Sequence, residues 1–433
     1  MRPFIKWPGG KEHELQYILP AKPSLIRNYV EPFLGGGAVF LALTDEEVTG
    51  KFIVNDLSNE LIDTYRFIQE NNVEFYNEME VIDQNNKLMV DLVSHNLERI
   101  RVLYGNISKI VNDEINNILK VEDGKKLVQN VSENSLKEIA DDRKKIVKQA
   151  IKNVTEQRNL EINNFITNVV CDNVLVGNLN RDISSFRINV KNMLIRRINR
   201  AIIRSFVNVG EAERNLSDIF ECVFKASLYT HIRSQYNQRN KGDCPYTQAE
   251  MSAMYLYIRE NCYAAMHRTN ELGEFNVPYG GISYNCHNFG RKKLVVQSKD
   301  LHRRLIRTEF NNLDFEKFLE TILDTTTSED FWFIDPPYDS AFSEYSQNKF
   351  GIKDHIRLAN LLVKTRAKVM IVIKKTDFIY NLYSQYENFR IGVFSKMYGV
   401  NFVNRNEREV EHLIITNYDV EMSNVVETQE VTR

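Results

Sequence analysis

The feature that most restricts the fold of this chain is a unit of strand, glycine turn, helix and second strand near its amino terminus. An apolar strand at Tyr29-Val30 runs into the three glycines 35–37, and an apolar helical stretch follows over 38–43. A second apolar strand, 51–55, ends at Asp56. Two strands joined through a helix become parallel neighbours in one sheet. The unit therefore predicts an α/β fold.

The glycine turn favours a bound ligand at the carboxyl end of the first strand. Gly35 and Gly37 permit a tight turn and a close approach of the backbone to a ligand. Asp56 follows Gly37 after 19 residues, and about 20 is the spacing at which an acid binds the ribose of an adenosine cofactor. Phe40 replaces the third glycine of the dinucleotide fingerprint, which argues against a dinucleotide oxidoreductase.

A stiff corner follows another apolar strand, Phe331–Ile334. This strand must end at Asp335-Pro336-Pro337-Tyr338, because two successive prolines restrict φ and donate no backbone hydrogen bond. Open α/β sheets bind ligands at the carboxyl ends of their strands. The corner is therefore predicted to present a carboxylate and an aromatic ring to a ligand, with a plain loop as the alternative.

Composition limits the setting in which the chain can work. The net charge is −2, so a surface that binds nucleic acid must be a local basic patch. Five cysteines occur without a CxxC pair, which is typical of reduced thiols and not of a zinc site or a disulfide framework. The sequence has no apolar run of transmembrane length and no signal-peptide core. We therefore expect a cytoplasmic protein without membrane contact.

Three motifs, in this order, resemble the Dam-type (α-group) N6-adenine DNA methyltransferases. They are Lys6-Trp7-Pro8-Gly9-Gly10-Lys11, Glu31-Pro32-Phe33-Leu34-Gly35-Gly36-Gly37 and Asp335-Pro336-Pro337-Tyr338. The segment Gly273–Gly280 and the pair Asp314-Phe315 resemble further parts of that family. The resemblance covers 1–75 and 226–418.

The resemblance implies a Rossmann-like methyltransferase fold, which is a mostly parallel seven-stranded sheet with one antiparallel strand and helices on both faces. It also implies S-adenosylmethionine as cofactor. The residues expected to bind this cofactor are Trp7, Lys11, Glu31, Phe33, Gly35, Gly37, Asp56, Asp314, Phe315 and Asp335. Trp7 and Lys11 are expected at its methionine end, Asp56 at its ribose, and Asp314 with Phe315 at its adenine.

The corner at Asp335 then has a defined chemical task. The lone pair on N6 of adenine is delocalised into the ring, so an enzyme must hold the amino group with that lone pair available. Asp335 and the carbonyl of Pro336 can each accept one N6–H bond, which requires positioning and preorganised electrostatics but no metal. The base must first leave the duplex, at a cost of a few kcal/mol. Tyr338 can return about 1–3 kcal/mol by stacking on it. Asp335, Pro336 and Tyr338 are therefore the expected catalytic residues.

The chain also contains a long insertion relative to the family pattern. We place it at 75–225, because this stretch has almost no proline and shows helical periodicity. The predicted division of the remaining chain is 1–74 and 286–420 for the two parts of the methyltransferase core, 226–285 for a target-recognition segment, and 421–433 for a polar tail.

The insertion carries the first expected contact with double-stranded DNA. Residues 181–241 contain twelve Lys and Arg against five Asp and Glu. Arg196, Arg197 and Arg200 lie at helical spacing, where they can bind phosphates. A solvated helix face is the alternative.

The second expected DNA contact lies around the base itself. Arg268 and Asn270 have donors suited to guanine and adenine edges, with a loop that hydrogen-bonds to itself as the alternative. Tyr345 or Phe350 is expected to form the wall opposite Tyr338, with core packing as the alternative for both.

The sequence therefore predicts site-specific methylation of N6 of a flipped-out adenine in double-stranded DNA, by an enzyme associated with the nucleoid. A restriction-modification, phage or epigenetic setting is expected, with a cognate restriction endonuclease as a candidate partner. Methylation of N4 of cytosine, or of adenine in RNA, is the nearest alternative. A DNA-binding regulator without turnover is disfavoured by the intact set Glu31, Gly35, Gly37, Asp335 and Tyr338.

Overall fold

The computed structural model describes residues 1–121, 136–172, 174–207, 216–338, 350–397, 409–420 and 426–427. Within these ranges the strands are β1 (Tyr29–Glu31), β2 (Phe52–Asn55), β3 (Thr308–Asn311), β4 (Phe331–Ile334), β5 (Lys368–Lys374), β6 (Arg390–Met397), β7 (Glu409–Thr416) and β8 (Val426–Glu427). The helices are α1 (Leu15–Ala21), α2 (Ala38–Ala42), α3 (Asn59–Gln69), α4 (Val73–His95), α5 (Leu97–Val121), α6 (Leu136–Asn153), α7 (Thr155–Val169), α8 (Ile183–Val207), α9 (Leu216–Tyr236), α10 (Gln248–Asn261), α11 (Phe289–Val296), α12 (Lys299–Ile306), α13 (Phe315–Leu323), α14 (Ile352–Leu362) and α15 (Asp377–Ser384).

The strands form one sheet in the order β3-β2-β1-β4-β5-β7-β6-β8. The first five strands of this order pair in parallel, whereas β7 is antiparallel to both β5 and β6. The predicted mostly parallel seven-stranded sheet with one antiparallel strand is confirmed. The two-residue β8, which falls within the predicted tail, adds an eighth strand beside β6.

The sheet separates two hydrophobic cores. Phe331 and Phe333 of β4 belong to one core, while Trp332 and Ile334 belong to the other, because successive side chains of a strand point to opposite faces. Helices α13, α14 and α15 cover the second core, and α1, α2 and α3 lie over the first. The predicted cover of helices on both faces is confirmed.

The insertion is helical in its described residues, as predicted. Ile107, Val111 and Ile115 recur on one face of α5, and that face is buried. The core of the insertion is continuous with the core on the first face of the sheet. The predicted boundary between 75–225 and 226–285 falls inside α9. No helix of the described ranges is long and apolar enough to cross a membrane.

Four acidic residues stand at the carboxyl ends of four neighbouring parallel strands. Glu31 ends β1, Asp56 follows β2, Asp335 follows β4, and Asp314 lies just beyond the end of β3. The strand order therefore sets these carboxylates along one edge of the sheet in the order Asp314, Asp56, Glu31, Asp335. Open parallel sheets bind ligands at this edge.

Candidate active site

The turn between β1 and α2 requires glycine at two positions. Gly35 and Gly37 have φ of +50° and +67°, a conformation that L side chains rarely adopt. A Cβ on Gly35 would lie 2.7 Å from Cδ1 of Trp7, and one on Gly37 would lie 2.8 Å from the hydroxyl of Tyr65. The turn is therefore packed closely at the end of β1, with the indole of Trp7 against Gly35 and the hydroxyl of Tyr65 against Gly37.

Asp56 anchors this turn from the neighbouring strand. Its Oδ2 accepts the backbone N–H of Gly35 at 2.8 Å, and its Oδ1 accepts that of Ser58 at 2.9 Å. Burial raises the pKa of Asp56, and the two N–H donors partly offset this rise. Asp56 thus fixes the shape of the glycine turn, in addition to its predicted role at a ribose.

Glu31 is buried at the carboxyl end of β1, between the strand ends that carry Asp56 and Asp335. Burial raises its pKa well above the usual range, and the charges of Asp335 and Asp56 raise it further. The hydroxyl of Tyr29 donates a hydrogen bond of 2.9 Å to Oε2 of Glu31, which opposes that rise. A cationic ligand beside Glu31 would favour the charged form of its carboxyl group.

The corner after β4 is tied to the amino-terminal motif by Lys11. The ammonium of Lys11, whose side chain is 2% exposed, forms an ion pair with Oδ1 of Asp335. It also donates to the hydroxyl of Tyr338 at 3.1 Å and to the carbonyl of Gly9 at 3.3 Å. Pro336 is buried between these two functional side chains. One buried cation thus fixes both polar groups of the corner.

Tyr338 also meets β7, which was not expected from the sequence. Its hydroxyl lies 3.5 Å from Nε2 of His412, a buried residue of β7 whose Nδ1 lies 3.3 Å from the carbonyl of Val410. A histidine directly before the apolar run Leu413-Ile414-Ile415 was the available signal. The sequence could not indicate that β7 comes close to the corner after β4.

The far end of the pocket, beyond β3, is aromatic. The ring of Phe315 lies 5.5 Å from that of Phe33 and 5.4 Å from that of Phe350. Arg357 stacks on Phe315 at 4.9 Å and donates a 2.9 Å hydrogen bond to Oδ1 of Asp314. Asp314 and Phe315 thus both contact Arg357, and their role at an adenine stays a prediction. Arg357 was not foreseen, since its partners converge only in the folded chain.

The segment after α10 forms a hairpin, 262–280, within the predicted target-recognition segment. Its two arms are joined by backbone bonds from Tyr263 to Pro278, at 2.9 Å, and from Asn276 to Arg268, at 3.1 Å. Leu272 at its tip is 75% exposed. The hairpin therefore projects a short, well-ordered tip into solvent.

One face of α9 holds this hairpin. The hydroxyl of Tyr229 and a guanidinium nitrogen of Arg233 both donate to the carbonyl of Val277 at 2.7 Å. Asn237, the first residue after α9, donates to the carbonyl of Phe275 at 3.0 Å and accepts its N–H at 2.9 Å. The three side chains lie four residues apart, which is one face of a helix.

The two predicted base-reading residues lie in this hairpin. The side-chain oxygen of Asn270 accepts the N–H groups of Leu272 and Glu274, at 3.1 and 2.9 Å, so this residue orders its own loop. Arg268 is exposed, and its Nε donates to Asn276 at 2.8 Å. Base contact by Arg268 and Asn270 stays a prediction.

The predicted phosphate-binding arginines lie on α8. Arg196 and Arg200 are exposed one turn apart, and Arg204 continues the row. None of these three has an ion-pair partner among the described residues. Arg197 is half-buried against Cys222 of α9. Tyr345, the remaining predicted DNA contact, lies outside the described residues.

The sheet order and the acidic strand ends define an α/β protein with a ligand site at the carboxyl edge of its parallel strands. The family model of the D12 class N6 adenine-specific DNA methyltransferases matches residues 7–176 and 179–400. The chain belongs to this family, as its motifs predicted.

Individual relatives match shorter stretches. The Type II methyltransferase M.CviBI of Paramecium bursaria Chlorella virus NC1A is 33% identical over 180 residues, which are 40% of this chain and 64% of that protein. The Type II methyltransferase M.MjaIII of Methanocaldococcus jannaschii is 28% identical over 256 residues, 57% of this chain and 80% of that protein. The DNA adenine methylase of Serratia marcescens is 25% identical over 207 residues, 46% of this chain and 70% of that protein. The chain thus spans less than two thirds of the Chlorella virus protein.

Proposed function

We propose that this protein transfers a methyl group from S-adenosylmethionine to N6 of an adenine that is flipped out of double-stranded DNA at a specific sequence. The observation that carries the proposal is the ion pair of Lys11 with Asp335 beside Tyr338, next to the glycine turn of β1. This ion pair places a carboxylate, a proline carbonyl and an aromatic ring beside a site suited to an adenosine cofactor.

The residues of the pocket fit S-adenosylmethionine. Gly35 and Gly37 let the turn pack closely on Trp7 and Tyr65, where a Cβ would clash, and the buried Glu31 stands between the strand ends that carry Asp56 and Asp335. Phe33 and Phe315 offer ring faces for an adenine at the other end. In this assignment, Trp7, Lys11 and Glu31 to Gly37 surround the methionine part, Asp56 binds the ribose, and Asp314 with Phe315 binds the adenine. When bound, the cofactor supplies an electrophilic methyl group on a positively charged sulfur.

The chain's own residues then prepare the target base. Asp335 and the carbonyl of Pro336 accept the two N6–H bonds, so the nitrogen lone pair turns out of the plane of the ring. Tyr338 stacks on the flipped base, which offsets part of the few kcal/mol that unpairing costs. A weak base suffices for the proton that N6 loses, because the amine becomes acidic only as the new N–C bond forms. Lys11 holds Asp335 and Tyr338 in one fixed arrangement, and this is catalysis by preorganisation.

DNA is bound by two surfaces in this proposal. Arg268 and Asn270 of the 262–280 hairpin approach base edges, and Tyr345 forms the wall opposite Tyr338. Arg196 and Arg200 of α8, with Arg197 beside them, bind phosphates and so position the duplex without selecting a sequence. The names of the Chlorella virus and Methanocaldococcus relatives, both Type II methyltransferases, support a restriction-modification setting with a cognate endonuclease as partner.

A methyl-transfer assay tests this function. The purified protein is incubated with tritiated S-adenosylmethionine and unmethylated genomic DNA, and modified bases are mapped by long-read sequencing. We expect N6-methyladenine at one short sequence. No tritium in DNA, or methylated cytosine in its place, would refute the assignment.

The corner is tested separately with Asp335→Asn, which keeps the size of the side chain but removes its charge. We expect methyl transfer to fall at least a hundredfold, since the negative charge that strengthens the acceptor and pairs with Lys11 is lost. Cofactor affinity, measured by equilibrium dialysis, should change much less. Asp324→Asn, an exposed change after α13 and before the amino end of β4, is the matched control and should keep full activity. Loss of cofactor binding in Asp335→Asn would assign the corner to the wrong ligand.

A further inference from the structure

A buried arginine joins the amino-terminal motif to the 262–280 hairpin. Arg259, near the end of α10, is 0% exposed. Its guanidinium donates to the carbonyl of Lys6 at 2.7 Å, of Ala265 at 3.0 Å and of Met266 at 2.9 Å. It also lies 5.2 Å from the centre of the Trp7 ring. One side chain therefore holds two segments that are about 250 residues apart in sequence.

Burying the charge of Arg259 costs more free energy than a purely structural contact usually does. Within the described part of the chain, no carboxylate forms an ion pair with Arg259, so three carbonyl dipoles and a ring face stabilise the buried charge. Removing an ion from water costs several kcal/mol. In addition, Ala264 and Ala265 have φ of +52° and +53° in the turn that Arg259 binds. Buried charge and strained backbone in one place are the local conflicts that proteins concentrate at functional sites.

Trp7 continues the connection from the hairpin to the cofactor turn. Its ring stacks on His267 of the hairpin, with centroids 6.3 Å apart and planes 26° apart. The same ring occupies the space in which a Cβ on Gly35 would lie. Gly35 in turn donates its N–H to Asp56. Each contact in this series is direct, from the hairpin that approaches DNA to the turn that approaches the cofactor.

We propose that Arg259 is a positioning residue that makes cofactor binding and DNA-target binding interdependent. The proposal rests on the function proposed above. When the hairpin binds its target, the carbonyls of Ala265 and Met266 become fixed. Arg259 contacts both of them, and it therefore also fixes the carbonyl of Lys6 and the ring of Trp7. The cofactor turn against Trp7 is then ordered before the cofactor arrives. Coupling of this kind is reciprocal, so the cofactor must tighten target binding by the same factor.

The test measures the factor by which target DNA changes the affinity for the cofactor. Sinefungin, an analogue of S-adenosylmethionine that has no methyl group to transfer, is titrated by calorimetry into the full-length protein. Titrations are made with and without a duplex that carries the sequence mapped in the methylation assay. For the unaltered protein we expect the duplex to lower the sinefungin Kd at least fivefold, within the usual range of coupling between two sites. A scrambled duplex of equal length and charge should leave the Kd unchanged.

In Arg259→Lys the charge is kept, but the lysine cannot contact all three carbonyls. We therefore expect the ratio of the sinefungin Kd values without and with the duplex to fall to about one. The matched control is Arg304→Lys. Arg304 is also buried, donates to the carbonyls of Phe40 and Leu43, and stacks on Phe52 at 4.2 Å, but it contacts neither the hairpin nor Trp7. We expect the control to keep the factor even where its Tm falls, because loss of stability alone does not change coupling.

A second variant keeps the test decisive if Arg259→Lys does not fold. His267→Ala removes an exposed ring on the hairpin side of Trp7, and we expect a reduced factor without loss of fold. The proposal would be overturned if Arg259→Lys showed the same coupling factor as the unaltered protein. If only His267→Ala folds, an unchanged coupling factor in that variant would overturn it. No coupling in the unaltered protein would also overturn it while leaving the proposed function intact. Failure of the unaltered protein to bind sinefungin at all would instead refute the cofactor assignment and this inference with it.

Discussion

The carboxyl group of Glu31 is fully buried, and burial raises its pKa well above the usual value. Its raised pKa means that the carboxyl keeps its proton to higher pH than an ordinary glutamate. A cationic ligand beside it favours the carboxylate, so binding must release a proton. Cofactor affinity is therefore expected to rise with pH until the raised pKa is passed.

Calorimetry of sinefungin binding in phosphate and in Tris buffer counts these protons, because the two buffers differ in their heat of ionisation. We expect a net release in the unaltered protein and a smaller one in Glu31→Gln, with a flatter dependence of affinity on pH. Glu46→Gln, an exposed change on the loop after α2, should behave as the unaltered protein does. Equal heats in both buffers would contradict the linkage.

Ala265 offers a test of backbone strain at a single residue. Its φ of +53° is costly for any residue with a Cβ and is free of that cost in glycine. Ala265→Gly should therefore raise the free energy of unfolding by about 0.5–1 kcal/mol, measured by urea denaturation. Ala253→Gly, in the middle of α10, should lower it by about 1 kcal/mol. Destabilisation by both changes would show that the positive φ is not retained in solution.

At the scale of elements, α8 presents Arg196, Arg200 and Arg204 on one exposed face. Arg197 is left out of the test, since it lies against Cys222 and its reversal would disturb the packing on α9. Reversal of the three exposed charges to Glu should weaken binding to every DNA sequence alike. It should also flatten the dependence of the affinity on salt, because fewer counterions are released.

The control for α8 reverses Arg99, Arg101 and Lys109, three exposed positions of α5, and so changes the net charge by the same amount. Fluorescence anisotropy at several salt concentrations compares the two variants. Equal loss of affinity would point to net charge alone. Unchanged affinity in the α8 variant would make its basic face a solvated surface, the alternative that the sequence left open.

Helix α9 shows how an element can link two functions. One face carries Tyr229 and Arg233, which hold the hairpin together with Asn237 just after the helix, and the rest of α9 packs against α4 and α8 of the insertion. The insertion and the hairpin therefore share a support. Any movement of α8 on DNA would reach the hairpin through the packed core of α9.

At the scale of the whole molecule, the continuous core between sheet and insertion contains a buried acid. Glu78 of α4 is 3% exposed, and its Oε1 has no hydrogen-bond partner within the described ranges. Burial, together with the charge of Glu250, raises its pKa to about 8. Between its ordinary pKa and pH 8 the folded protein holds a proton that the unfolded chain releases. Stability must therefore fall as pH rises through this window.

Glu78→Gln removes this titration while keeping the shape of the side chain. The free energy of unfolding of the variant, relative to the unaltered protein, should rise by a few kcal/mol between pH 5 and pH 8. Glu74→Gln, on the exposed face of the same helix, should show no such trend. Parallel stability curves for Glu78→Gln and the unaltered protein would mean that Glu78 is hydrated in solution.

The sequence alone determined those parts of the protein that depend on neighbouring residues. Apolar runs, glycines and prolines fix strands, turns and the corner locally, so the parallel sheet and the positions of Glu31, Asp56 and Asp335 could be predicted. Motif order gave the family. Spacing along the chain also indicated that the insertion is helical, because its periodicity follows from burial of one face of each helix.

The tertiary structure decided which distant residues meet. Strand order and helix packing determine four such contacts. They are Lys11 with Asp335, His412 with Tyr338, Arg357 with Asp314, and Arg259 with Lys6 and the hairpin. Such contacts join segments far apart in sequence, and no local pattern encodes them. Burial likewise acts only in the folded chain, where it changes the proton affinity of Glu31 and Glu78. The sequence thus indicates the candidate site residues, and the fold determines their partners and their protonation.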